Sequence, residues 1–134
     1  MFIQPYLFFD GRCDEAIEFY KKAIGATVDM LMRFKQAPDQ SMISPGSADK
    51  VMHSCLKIGE TRVMASDGRN TGMPKFDGFA LSLDVKTDAD AQMMFKALSD
   101  GGEVTMPLGS TFFASSFGMV KDRFGVNWMV LKAK

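Results

Sequence analysis

The chain has 134 residues, 46% hydrophobic and 24% charged, a size and mix that suit one globular domain. Its 16 basic and 16 acidic residues cancel, which leaves no electrostatic footprint for nucleic acid or an anionic membrane. No apolar run reaches the roughly 20 residues of a membrane span, and the opening MFIQPYLFFDGR lacks the basic leader and small-residue cleavage site of a signal peptide, so a cytoplasmic protein is expected.

In chain order, a strand over residues 2–9 leads into a helix over 14–26, DEAIEFYKKAIGA. Ala16, Ile17, Tyr20, Ala23 and Ile24 share one face of that helix, and Gly25 ends it. A strand over 27–35 precedes a polar loop over 35–50. Strands over 50–58 and 61–66 are joined at IGET, where Gly59 provides the turn. The loop over 66–78, SDGRNTGMPKFDG, links the halves, and its Ser66, Asp67 and Arg69 read as a solvated turn. A strand over 78–85 follows, then a second helix beginning at Asp88. Ala91, Met94, Phe95 and Leu98 form its apolar face, Thr87 and Asp90 resemble a capping box, and Gly101-Gly102 closes it. The chain ends with strands over 103–109, 115–121 and 126–132, the last two joined at the turn DRFG. The halves, about 1–67 and 78–134, repeat one pattern: Asp10 falls on Asp84, Asp14 on Asp88 and Ile24 on Leu98.

A strand–helix–three-strand unit used twice within 134 residues resembles the vicinal oxygen chelate superfamily, which includes glyoxalase I, extradiol dioxygenases and bleomycin resistance proteins. PYLFFDGRCDEAIEFY, HSCLKIGETRVMASD, ALSLDV, GGEVTMPL and SSFGMVKDRFGVNW place it nearest the PhnB-like branch and cover nearly the whole chain. The resemblance implies an α+β fold: two βαβββ units in one domain over 1–134, forming a curved mixed sheet around a cup with the helices outside. A dimeric ferredoxin-like barrel is a distant alternative, but needs a βαββαβ order. Relatives often carry a methyltransferase name, yet the sequence has no glycine-rich strand-to-helix turn for a methyl donor.

Metal enzymes of the superfamily place His, Gln or Glu at four positions, on the first and last strand of each unit. Carried over by the motifs, these are Gln4, Met64, Gly78 and Met129. Glycine offers no ligand, and a thioether is a poor one for a hard or borderline ion. The resemblance therefore implies that the standard metal site is dismantled; no cofactor is expected, and a weakly bound divalent ion is the alternative.

Strand alternation sorts the remaining candidates. Gln4, Tyr6 and Phe8 share a face, as do His53, Cys55 and Lys57, Arg62, Met64 and Ser66, Gly78, Ala80, Ser82 and Asp84, and Asn127, Met129 and Leu131. On the third strand the other face, with Ser54, Leu56 and Ile58, is the more apolar and should meet the helix. The cup candidates are thus Gln4, Tyr6, Phe8, His53, Cys55, Arg62, Met64, Ser82 and Met129. His53 is the only histidine, a candidate general base or lone metal ligand, or simply a hydrogen-bonded wall residue. Cys55 reads as a small filler and Cys13 as a helix-start residue, both reduced. Arg62 is a candidate anchor for an anion or an exposed strand arginine. Trp128 is a candidate stacking wall or core. Twelve methionines give either an adaptable core or an apolar cup.

Three readings follow. One is a homodimer that binds a small molecule in an apolar cup without metal. Another is an enzyme using His53. The third is a drug-sequestering dimer with its cup between chains.

Overall fold

A computed structural model describes residues 1–68 and 74–134, apart from the side chain of Met42; Arg69 of the expected loop lies outside the described residues. The chain divides into two compact units, Met1–Pro74 and Lys75–Lys134. The first contains β1 (Tyr6–Phe8), α1 (Cys13–Ile24), β2 (Thr27–Arg33), β3 (Val51–Ile58) and β4 (Thr61–Ser66). The second contains β5 (Leu81–Asp84), α2 (Asp88–Ser99), β6 (Glu103–Gly109), β7 (Ala114–Lys121) and β8 (Asn127–Ala133). Each unit is a mixed four-stranded sheet, ordered β1-β4-β3-β2 and β5-β8-β7-β6. The outer pairs β1/β4 and β5/β8 are parallel, and the remaining pairs antiparallel. The α+β fold of two βαβββ units is therefore the observed one.

Each sheet has one face under its helix. In the first unit Leu7, Phe9, Leu56, Val63 and Ala65 are buried together with Ala16, Ile17, Tyr20 and Ile24 of α1. Tyr20 and Phe9 meet with ring centroids 6.1 Å apart. Burying one such side chain contributes about 1.5–3 kcal/mol. In the second unit Ala91, Phe95 and Leu98 of α2 are buried, as are Val120, Trp128 and Val130 of the sheet. Gly118 makes room for the helix: a Cβ there would lie 2.6 Å from Phe95 Cε1. The helix ends follow local rules. Gly25 closes α1 in the left-handed region at φ 70°. The Thr87 hydroxyl accepts a hydrogen bond from the Asp90 amide at 3.0 Å.

Several boundaries differ from the sequence reading. The first strand starts at Tyr6 rather than residue 2, because Pro5 has no amide to donate. Gln4 therefore precedes the strand. The fifth starts at Leu81 rather than residue 78, since Gly78 turns the chain at φ 83°. The second ends at Arg33, and single 3-10 turns follow at Phe34–Gln36 and Gln40–Met42 within the expected loop. Ser66 and Asp67 are no solvated turn: they are 2% and 1% exposed. Trp128 is core, 3% exposed, with its indole nitrogen donating to Asp122 Oδ2 at 2.9 Å.

Candidate functional site

The sheet face of the first unit that does not meet α1 carries the polar candidates. Cross-strand register arranges them in rows. In one row Met30 lies opposite Cys55, Cys55 opposite Met64, and Met64 opposite Tyr6. In the next, Met32 lies opposite His53, and Phe8 opposite Ser66. In a third, Thr27 lies opposite Lys57 and Lys57 opposite Arg62. Burial supports the alternation: Ser54, Leu56 and Ile58 are buried, while His53 and Cys55 are half-buried and Lys57 is exposed.

Two of the candidates touch. The Tyr6 hydroxyl and His53 Nδ1 form a hydrogen bond of 2.9 Å, with ring centroids 5.5 Å apart. Strand β4 runs between β1 and β3, so the two side chains lean toward each other across about two interstrand spacings, roughly 10 Å, to make it. Phe8 stacks on Tyr6 at 4.9 Å and 28° and is 54% exposed. Gly68 allows the ring to lie there, since a Cβ on it would come 3.0 Å from Phe8 Cδ1. The result is an aromatic shelf ending in an imidazole. The bond occupies one ring nitrogen and leaves Nε2 to act. If Tyr6 donates, Nε2 carries the proton and is a donor; if Nδ1 donates, Nε2 is a base.

Other candidates lie apart from this pair or carry different chemistry. Arg62 is well exposed and sits 3.9 Å from Asp29, with Lys57 opposite it. Cys55 and Met64 lie in the Tyr6 row, on the same sheet face as His53. Cys13 is on the opposite side, fully buried at the start of α1. Burial first, and then the charge of Asp67, push its thiol up to about 12, so it stays protonated and inert.

In the second unit Ser82 lies opposite Met129, Met129 opposite Met119, and Met119 opposite Met106. Asp84, Leu131 and Phe117 form the neighbouring row. This unit contains neither histidine nor cysteine. Asn127 donates to the Phe76 carbonyl at 2.7 Å and so fastens the entry segment to β8.

The donor set does not fit the superfamily's divalent ion. Among the described residues, no three of His, Cys, Asp or Glu gather in one place. Register also moves one position: with Met64 matched to Met129, Tyr6 matches Ser82, so Gln4 matches Ala80 rather than Gly78. Alanine is as empty of donors as glycine. The four positions then hold one amide, two thioethers and a methyl group, and no catalytic step is routed through a metal there.

Three features escaped the sequence reading. Asp67 accepts hydrogen bonds from the amides of Gly11 and Cys13, both at 2.8 Å, and from Val51 at 2.8 Å. It replaces the missing side-chain cap of α1, whose N-cap residue, Arg12, makes none. Asp122 accepts from Phe124 and Val126 as well as Trp128, which fastens the last hairpin. The third feature is a bulge in both second strands: the register slips between Val28 and Met30 and between Val104 and Met106. Its sequence signal is a repeated Val-x-Met, Val28-Asp29-Met30 and Val104-Thr105-Met106.

Comparison with known proteins agrees with this architecture. Residues 2–131 match the family described as 3-demethylubiquinone-9 3-methyltransferase. The chain is 31% identical over 136 residues to protein YjdN of Escherichia coli K12, covering 96% of this chain and 92% of that protein. It is similar to the crystal structure of PA1353 from Pseudomonas aeruginosa, with TM-score 0.87, 41% identity, and coverage of 99% and 98% of the two chains. It is also similar to the PhnB protein of Bacillus cereus, titled a putative 3-demethylubiquinone-9 3-methyltransferase, with TM-score 0.82, 25% identity and coverage of 99% and 100%.

Proposed function

The chain belongs to this family, the PhnB-like branch of the vicinal oxygen chelate superfamily, and from that premise we propose that it binds a small apolar molecule carrying one polar oxygen. The ligand's ring or chain lies on the Tyr6–Phe8 shelf, and its oxygen meets His53 Nε2. The observation that carries this reading is the 2.9 Å bond between Tyr6 and His53 beside an exposed, stacked Phe8. A half-buried imidazole held at one nitrogen, next to apolar surface, is how a site fixes the orientation of a mostly apolar ligand. Gln4, Met64 and Cys55 add adaptable wall. The family's description names a methyl transfer, but neither mixed four-stranded sheet is the doubly wound parallel sheet that cradles a nucleotide-derived methyl donor. Methyl transfer is not part of the proposal.

The test is a thermal-shift panel of aromatic carboxylates and phenols on the wild type, His53→Ala and Tyr6→Phe. At least one class should raise Tm in the wild type. His53→Ala should weaken its binding by about 1–3 kcal/mol, the cost of one hydrogen bond to a desolvated partner. Equal shifts in all three proteins would overturn the reading.

A second reading has its own support: among the described residues, the one hydrogen bond of the His53 ring is at Nδ1, and Nε2 is left for a ligand. If a bound molecule presents an acidic C–H or O–H to that nitrogen, His53 acts as a general base. Removing it should then cost a rate factor of roughly 10²–10⁴. A rate that survives His53→Ala removes this reading and leaves the binding one.

A further inference from the structure

The sulfur rows have a chemistry that the divalent-metal comparison passes over. In the first unit, Met30, Cys55 and Met64 stand directly opposite one another on three adjacent strands, β2, β3 and β4. In the second, Met106, Met119 and Met129 stand on the three equivalent strands. Directly opposed residues on one sheet face have Cβ atoms about 4.5–5.5 Å apart, and methionine has three rotatable bonds with which to converge.

The bulge sets this composition. Before it, Val28 pairs with Leu56; after it, Met30 pairs with Cys55. Without the slip Asp29 would stand opposite Cys55. In the second unit Val104 pairs with Val120 and Met106 with Met119, so the unslipped register would present Thr105. In both units the bulge brings a thioether, rather than an oxygen side chain, into register with the row. Asp29 lies 3.9 Å from Arg62, in the neighbouring row of the same sheet face. A bulge that re-aims one side chain is a device found beside functional sites.

We propose that the Met30–Cys55–Met64 row is a binding site for a soft monovalent d¹⁰ cation, Cu(I) or Ag(I). Sulfur-only donors select such ions and reject hard ones. Cys55 supplies the anionic ligand: its thiol loses a proton as the sulfur–metal bond forms, so each bound ion releases one proton and no electron moves. Met30 and Met64 supply two neutral thioethers, completing a three-sulfur set. The row is reachable, since Met30 is 43% exposed and Cys55 and Met64 are half-buried. Cys13 does not compete, being fully buried and held protonated. The second unit's row has no thiol and is the weaker of the two.

The experiment is anaerobic titration of the full chain with Cu(I) against a chromophoric Cu(I) chelator, repeated with Ag(I). Variants are Cys55→Ser, Met64→Leu and the control Cys13→Ala, with circular dichroism confirming the fold of each. The wild type should withdraw one equivalent from the chelator and show an ultraviolet thiolate-to-metal band. Cys55→Ser should abolish the band and the tight equivalent. Met64→Leu, which keeps the volume, should weaken binding by roughly 10–100-fold while the band survives. Cys13→Ala should bind as the wild type does. A wild type that yields all its copper to the chelator overturns the proposal, and so does retention of the tight equivalent in Cys55→Ser. The outcome is separable from the small-molecule reading, because His53→Ala should leave Cu(I) binding intact and lower only the ligand-induced thermal shift.

Discussion

At the residue scale, Asp67 organises the first unit without touching its candidate site. One carboxylate satisfies amides of the loop before α1, of α1 itself and of β3. Asp67→Ala leaves these donors without partners and should cost roughly 3–5 kcal/mol, measurable by urea denaturation. The same aspartate sharpens the contrast between the thiols. An alkylating reagent should label Cys55 in the native protein within minutes and Cys13 only on unfolding, which mass spectrometry would read directly. Cys13 also sets an alkaline limit. Its thiol is raised from 9.0 to about 12 on folding, so between those values the unfolded chain binds fewer protons than the native one. That stabilisation is whole below pH 9 and is lost as pH rises toward 12. In Cys13→Ala this part of the fall should vanish. The sequence named Cys13 correctly as a helix-start residue but read Asp67 as solvated. Its partners lie up to 56 residues away, and no local pattern announces such a contact.

At the element scale, strand alternation was a good guide wherever the pairing was regular. It put His53 and Cys55 opposite Ser54, Leu56 and Ile58, and Tyr6 with Phe8. It could not foresee the bulges, because a bulge changes parity without changing composition. The Val-x-Met repeat was visible, but a β-branched residue followed by a methionine is also ordinary strand sequence. The two ends of the first and fifth strands were over-extended for a similar reason: apolar residues before Pro5 and after Gly78 continue the pattern that the backbone breaks. The helix–sheet contact of the second unit gives a clear test. Gly118→Ala would set a Cβ 3.0 Å from Leu108 Cα and closer still to Phe95. The overpacking should cost about 1–3 kcal/mol, seen as a lowered Tm, and Phe95→Leu in the same chain should recover part of it.

At the scale of the whole molecule, the repeat made the fold legible and the function hard to read. Two βαβββ units can be recognised from hydrophobic pattern and turns alone, whereas a site depends on a few side chains whose identities the fold does not dictate. The resemblance carried the donor positions to Gln4, Met64, Gly78 and Met129, and the sheet register puts Ala80, two residues further on, where Gly78 was expected. Dialysed protein should accordingly hold no stoichiometric zinc, nickel or iron by elemental analysis, and Gln4→Ala should leave Tm unchanged, since no metal-binding energy is at stake. Each sheet has outer strands, β1 and β2 or β5 and β6, with one hydrogen-bonded neighbour apiece among the described residues. Open edges invite pairing, so light scattering at micromolar concentration should report a dimer rather than the 14.8 kDa chain. The duplication is also chemically lopsided in a way that serves the experimenter. The only tryptophan is buried in the second unit, while both thiols belong to the first. Each half thus contains its own built-in reporter: indole fluorescence follows one, and exposure of the Cys13 sulfur follows the other. A single sample titrated with urea in the presence of a thiol reagent therefore tells whether the halves unfold in one cooperative step or in succession, and in which order.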